Sequence, residues 1–180
     1  MGIYSPWKLD AVWGGGPFGA HYYLSHGRGV YHIDGNNRNA DEMLTLADFG
    51  VTWDSVDAAL TSVKWGNAVY FFKGNQYMSY NIDTKTASGI GPLSAWKLPW
   101  NSIDAAFRID WYGVNLLYFI KGANYARYKE DTGGVEVGPL TDLNCYWSEV
   151  DAAVSASPKW GDAIYVFRGL TYMKLDKSGS

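Results

Sequence analysis

The sequence predicts an all-β fold, a four-bladed β-propeller, on three observations. The stretches Leu9-Asp10-Ala11-Val12, Val56-Asp57-Ala58-Ala59, Ile103-Asp104-Ala105-Ala106 and Val150-Asp151-Ala152-Ala153 place their aspartates at successive intervals of 47 residues. Each copy runs on into an apolar, aromatic strand that ends at a glycine. Composition agrees with short packed strands and tight turns: 9 Trp, 14 Tyr, 7 Phe and 21 Gly stand beside only 18% charged residues. A strand-rich unit of this length, repeated in phase, is the signature of a propeller. Four units divide the 180-residue chain into blades at 9–55, 56–102, 103–149 and 150–180.

The elements follow in order within each unit. The Asp-Ala motif opens the innermost strand, where small side chains let four strands converge on one axis. The second strand is His21–Gly27, Val69–Gly74, Leu117–Gly122 or Ile164–Gly169, and its terminal glycine admits the positive φ of a hairpin turn. The third is Val30–Ile33, Gln76–Tyr80, Tyr125–Tyr128 or Tyr172–Leu175, with the alternation of a half-buried sheet. A tail closes the unit, marked by Gly91-Pro92-Leu93 and Gly138-Pro139-Leu140. Trp53, Trp100 and Trp147 each stand four residues before the next aspartate and are expected between blades. The last copy has 30 residues from Asp151 to the end of the sequence, so the fourth blade is expected to be incomplete. That leaves an exposed edge through which a homodimer could form.

These motifs resemble the hemopexin-like repeat family. The likeness rests on the Asp-Ala-Ala strand, on Phe71-Phe72-Lys73-Gly74, and on Gln76-Tyr77 with Tyr80, and it covers Leu9 to Asp176. It implies a narrow axial channel in which cations are held by the main-chain carbonyls of the repeated aspartates, here Asp10, Asp57, Asp104 and Asp151. Val12, Ala59, Ala106 and Ala153 would then supply a second ring of main-chain groups. Oxygen donors with water suit calcium or sodium. The alternative is that the aspartates only brace the strand starts. The chain departs from secreted animal members in having one cysteine, Cys145, and hence no disulfide between first and last blades.

Other constellations are weaker. Gly14-Gly15-Gly16-Pro17-Phe18-Gly19 spells a dinucleotide-binding fingerprint, but Pro17 interrupts it and a strand follows where a helix is required. His21, His26 and His32 all fall in the first blade, and structural or surface roles are expected for them over a ligand set; haem is not expected as a cofactor. No nucleophile–base pattern stands out, Cys145 reads as buried packing, and the chain is not expected to be an enzyme. A net charge of −3 without a basic run argues against nucleic acid. No apolar stretch reaches the roughly 20 residues of a membrane span, and no leader pattern is present, so a cytoplasmic protein is expected.

A second set of tryptophans lies between the first and second strands, at Trp13, Trp65, Trp111 and Trp160. Asn67, Asn115 and Asp162 accompany them. A ring face covers sugar C–H patches while a carboxamide or carboxylate bonds hydroxyls, so this rim is the expected ligand surface. The functional expectation is a non-enzymatic, lectin-like carbohydrate-binding protein, as in defence lectins, with glycans as partners. The alternatives are an albumin-like protein that binds polyamine or haem, as the resemblance allows, and a protein-interaction or toxin-like scaffold.

Overall fold

The structure is a computed structural model; it describes residues 8–15, 18–36, 39–64, 66–111, 114–156 and 163–176. Four antiparallel sheets surround one axis. Blade 1 holds β1 (Ala11–Gly14), β2 (His21–His26), β3 (Gly29–Asp34) and β4 (Asn39–Thr45), paired in that order. Blade 2 holds β5 (Ala58–Ser62), β6 (Ala68–Lys73) and β7 (Gln76–Asn81). Its outer edge is split into β8 (Thr86–Ala87) and β9 (Gly91–Pro92), both paired with β7. Blade 3 holds β10 (Ala105–Trp111), β11 (Val114–Lys121), β12 (Asn124–Lys129) and β13 (Gly134–Pro139). In blade 4 the described residues form three strands, β14 (Ala152–Ser155), β15 (Ala163–Arg168) and β16 (Thr171–Asp176). The inner strands β1, β5, β10 and β14 each contact two others, so the ring closes. No helix of the described residues is long and apolar enough to cross a membrane.

The tail of each repeat is more ordered than the sequence reading supposed. In blades 1 to 3 it forms the outer strand and then one turn of 3-10 helix: Leu46–Phe49, Leu93–Trp96 and Leu140–Leu143. Each turn drops apolar side chains into the wedge between its own blade and the next. Leu46 and Phe49 fill wedge 1–2, Leu93 and Trp96 fill wedge 2–3, and Leu140 fills wedge 3–4. Aromatic rings meet there edge to face, as Trp96 does with Tyr70 and Phe119. Cys145 is buried in wedge 3–4, and Trp53, Trp100 and Trp147 pack half-buried against wedges 1–2, 2–3 and 3–4.

Small residues on the inner strands meet across the wedges. Ala11 faces wedge 1–2 with Ala59, Ala58 faces wedge 2–3 with Ala106, and Ala105 faces wedge 3–4 with Ala153. The closing wedge 4–1 pairs Ala152 with Val12. A bulkier residue would hold neighbouring strands apart, which gives the Asp-Ala-Ala motif its physical meaning.

The glycine loop after β1 joins two strands of one sheet, so its helix-opening fingerprint has no structural counterpart. Gly14 is required there for another reason. A Cβ on it would lie 2.3 Å from the carbonyl oxygen of His21, and its φ is +139°.

Candidate functional site

The four repeated aspartates ring one end of the axis, and their side chains brace the hairpin turns. Each Oδ2 accepts a main-chain N–H from the turn glycine between the second and third strands of its blade. The pairs are Asp10 with Gly27 at 2.6 Å, Asp57 with Gly74 at 2.7 Å, Asp104 with Gly122 at 2.8 Å and Asp151 with Gly169 at 2.6 Å. Each aspartate N–H also donates to the second strand, as Asp57 does to Phe72 at 2.8 Å. The brace fastens the start of each inner strand to the tip of the hairpin between the second and third strands of the same blade.

In blades 2 and 3 the other oxygen, Oδ1, meets an ammonium group. Lys73 reaches Asp57 at 2.8 Å and Ser55 at 2.7 Å, and Lys121 reaches Asp104 at 2.6 Å. Blade 4 departs from this scheme. Glu149 stands where Ser55 and Ser102 stand, and Arg168 replaces the lysine and pairs with Glu149 at 3.1 Å. Asp151 is instead met by Lys8, at 2.8 Å, from the start of blade 1. That contact carries the ring across its junction and raises the Lys8 ammonium above its usual range, through the hydrogen bond from Lys8 to Asp151 and then their charge attraction.

Between these groups opens a mouth of about 380 Å³, lined by Asp10, Asp57, Asp104, Asp151 and Glu149 against Lys8, Lys73 and Lys121. Five carboxylates face three ammonium groups, so the mouth is acidic. Its donors are hard oxygens, the kind that calcium and sodium take. No three His, Cys, Asp or Glu side chains among the described residues converge as a metal cage would. Asp57, Asp104 and Asp151 are committed to turns and lysines, Asp10 to its turn and Glu149 to Arg168. Val12, Ala59, Ala106 and Ala153 lie buried just inside, on the inner strands.

Beside the mouth, at blade 4, a second hollow of about 440 Å³ is lined by Trp147, Glu149, Asp151, Arg168, Thr171 and Lys8. Trp147, expected between blades, packs part of its ring on wedge 3–4 and lines this hollow with the rest. This second face of the residue is not evident from its spacing in the repeat. Its signal lay in Glu149, where blade 4 puts a carboxylate in place of Ser55 and Ser102, and in Arg168, which keeps the lysine's charge on a forked donor.

The expected rim at the opposite end is corrected at Trp13. This residue is 1% exposed, and its ring packs against Tyr23, Phe49 and Phe71 in wedge 1–2, so it offers no face to a ligand. Asn67 donates to the Asp83 carboxylate at 3.0 Å, and the Asn115 carbonyl accepts from Arg108 at 2.5 Å. Both carboxamides therefore serve their own blades. Trp65, Trp160 and Asp162 lie outside the described residues, as does the side chain of Trp111.

Sequence reasoning also missed Glu130, at the end of β12. It is 4% exposed and accepts from the Ser62 hydroxyl across wedge 2–3, while Lys64 donates to its main-chain oxygen at 2.5 Å. Burial pushes its carboxyl above the usual range, against the pull of Ser62, Arg108 and Lys64.

No protein-family profile and no curated protein matches this sequence. Solved structures do. The hemopexin fold protein CP4 from cow pea is 18% identical, with 96% of this chain and 88% of that one covered at a TM-score of 0.75. A plant lectin with two metal binding sites from Cicer arietinum is 18% identical over 96% of this chain and 88% of that one, at 0.74. LS24, a seed albumin from Lathyrus sativus, is 17% identical over 92% and 84%, at 0.73. At such identities the likeness concerns the fold. With its four sheets, its 47-residue period and its braced aspartates, the chain is a four-bladed β-propeller of the hemopexin fold.

Proposed function

We propose that this chain is a non-enzymatic, lectin-like propeller that binds carbohydrate in the hollow beside Trp147. The observation that carries the reading is the lining itself: a half-buried indole next to Glu149, Arg168 and Thr171. An aromatic face with carboxylate, guanidinium and hydroxyl groups around it matches a sugar's apolar patches and hydroxyls. Blades 2 and 3 offer related positions at Trp53 with Ser55 and Gln76, and at Trp100 with Ser102 and Asn124. Several shallow sites would act together by avidity. A calcium or sodium ion held in the mouth by main-chain oxygens of Asp10, Asp57, Asp104 and Asp151 belongs to the same proposal, as does a second copy paired along β16, the last strand of blade 4 among the described residues. Two similarly folded proteins lend support, the Cicer arietinum lectin with two metal binding sites and a Cicer arietinum albumin showing hemagglutination.

A glycan array with and without calcium tests the reading. Binding that falls at least about tenfold in Trp147→Ala is expected, since a buried aromatic contact is worth about 1.4 kcal/mol or more. Absence of glycan binding in both conditions would remove it. A second reading, polyamine capture, is favoured by the excess of carboxylates in the mouth. Calorimetry with spermine reads it: Glu149→Gln should weaken binding, and glycan binding without spermine binding excludes it.

A further inference from the structure

At the end of blade 1 remote from the mouth, β2 and β3 bring two imidazoles together. His21 Nδ1 and His32 Nε2 face each other at 3.0 Å, and both residues are half-buried. The strand register places them on one face of the sheet, with Tyr23 opposite His32 and Asp34 opposite His21. The rings stand in series: His21 and His32 lie edge to edge with centroids 5.0 Å apart, His32 is against Tyr23 at 4.9 Å, and Tyr23 stacks on Trp13 at 5.7 Å. Trp13 is core, so the histidine pair is anchored to wedge 1–2. On β4, Glu42 occupies the register position opposite His32.

We infer that His21 and His32 form a binding site for a divalent transition ion, with copper(II) as the best-fitting class. Two imidazole nitrogens bound at about 2.0–2.1 Å in adjacent, right-angled positions stand roughly 3 Å apart, which is the separation the strands already impose. Tetragonal copper(II) prefers that arrangement, whereas a tetrahedral ion would want the nitrogens about 0.3 Å further apart. In the metal-free pair one nitrogen donates to the other. Metal binding moves that proton to the outer nitrogen of the same ring, so both facing lone pairs become ligands and no charge is lost. Asp34, the register partner of His21, supplies a carboxylate nearby. Water completes the shell. The site is independent of the sugar reading, since it lies on another blade and at the other end of the axis.

The test is titration of the whole chain with copper(II) chloride in a non-coordinating buffer. One equivalent should bind with an electron paramagnetic resonance spectrum of at least two nitrogen donors. His21→Ala and His32→Ala should each weaken binding by about 100-fold or more, of the order seen when a metal site loses its supporting groups, while His26→Ala leaves it unchanged. Since the histidine variants could misfold, the wild type carries a second measurement. Substoichiometric copper should broaden the proton resonances of two of the three histidines and spare His26. Equal broadening of all three, broadening of His26 first, or binding unaffected by either alanine variant would overturn the assignment.

Discussion

Wedges 2–3 and 4–1 do the same job with different means. Wedge 2–3 gathers twelve buried residues, and Trp96 from a 3-10 turn touches Tyr70, Phe72, Tyr77, Phe119 and Tyr128. Among the described residues wedge 4–1 gathers seven, with no 3-10 turn in it, and the Lys8–Asp151 pair lies across its mouth. An ion pair whose lysine is 65% exposed contributes at most about 1 kcal/mol. A buried aromatic contributes about 1.5–3 kcal/mol by transfer alone. Closure therefore rests on inner-strand packing at the junction, while the middle of the ring rests on aromatic fill.

Both wedges bury a phenylalanine, so one truncation can be made in each. Phe119→Ala in wedge 2–3 should cost about 4–5 kcal/mol and Phe167→Ala in wedge 4–1 about 3 kcal/mol or less, read by urea unfolding. Equal costs would mean that the junction is as well packed as the middle. Next come the braces. Asp104→Ala loses a charged bond to Gly122 and the partner of Lys121, for about 2–3 kcal/mol, whereas Asp10→Ala loses the bond to Gly27, for about 1.5 kcal/mol. Amide exchange sharpens the same point: β14 and β1 should exchange about tenfold faster than β5 and β10.

The smallest effect concerns acidity inside wedge 2–3. Glu130 has a folded-state carboxyl raised by burial, so the folded chain holds its proton to higher pH than the unfolded chain does. Stability then falls as pH rises from the ordinary glutamate value through the raised one. Glu130→Gln should flatten that slope and raise the melting temperature above the window. A slope unchanged in the variant would place the titration elsewhere.

The architecture was legible because the repeat is written in spacing: the aspartates count the blades, and the alanines mark the inner strands. The role of Asp57 was half legible. Sequence left it as an ion ligand or a brace, and only the 2.7 Å bond to Gly74 assigns its side chain to the turn. Trp13 was misread because it was grouped with Trp65, Trp111 and Trp160 by type. Its distance from Asp10 is that of Leu60, Phe107 and Val154 from their own aspartates, all core positions. Counting from the motif would have placed it in the core. The meeting of His21 and His32 was not legible, because their approach is diagonal across β2 and β3, a relation fixed by hairpin register and ring orientation.

Cys145 carries one last consequence. It is the chain's single thiol, and it is 1% exposed inside wedge 3–4. A thiol reagent can reach it only when blades 3 and 4 part, so the rate of its labelling would act as a clock for breathing at that seam. The ring thus contains its own reporter on how often it opens, without any residue having to be added.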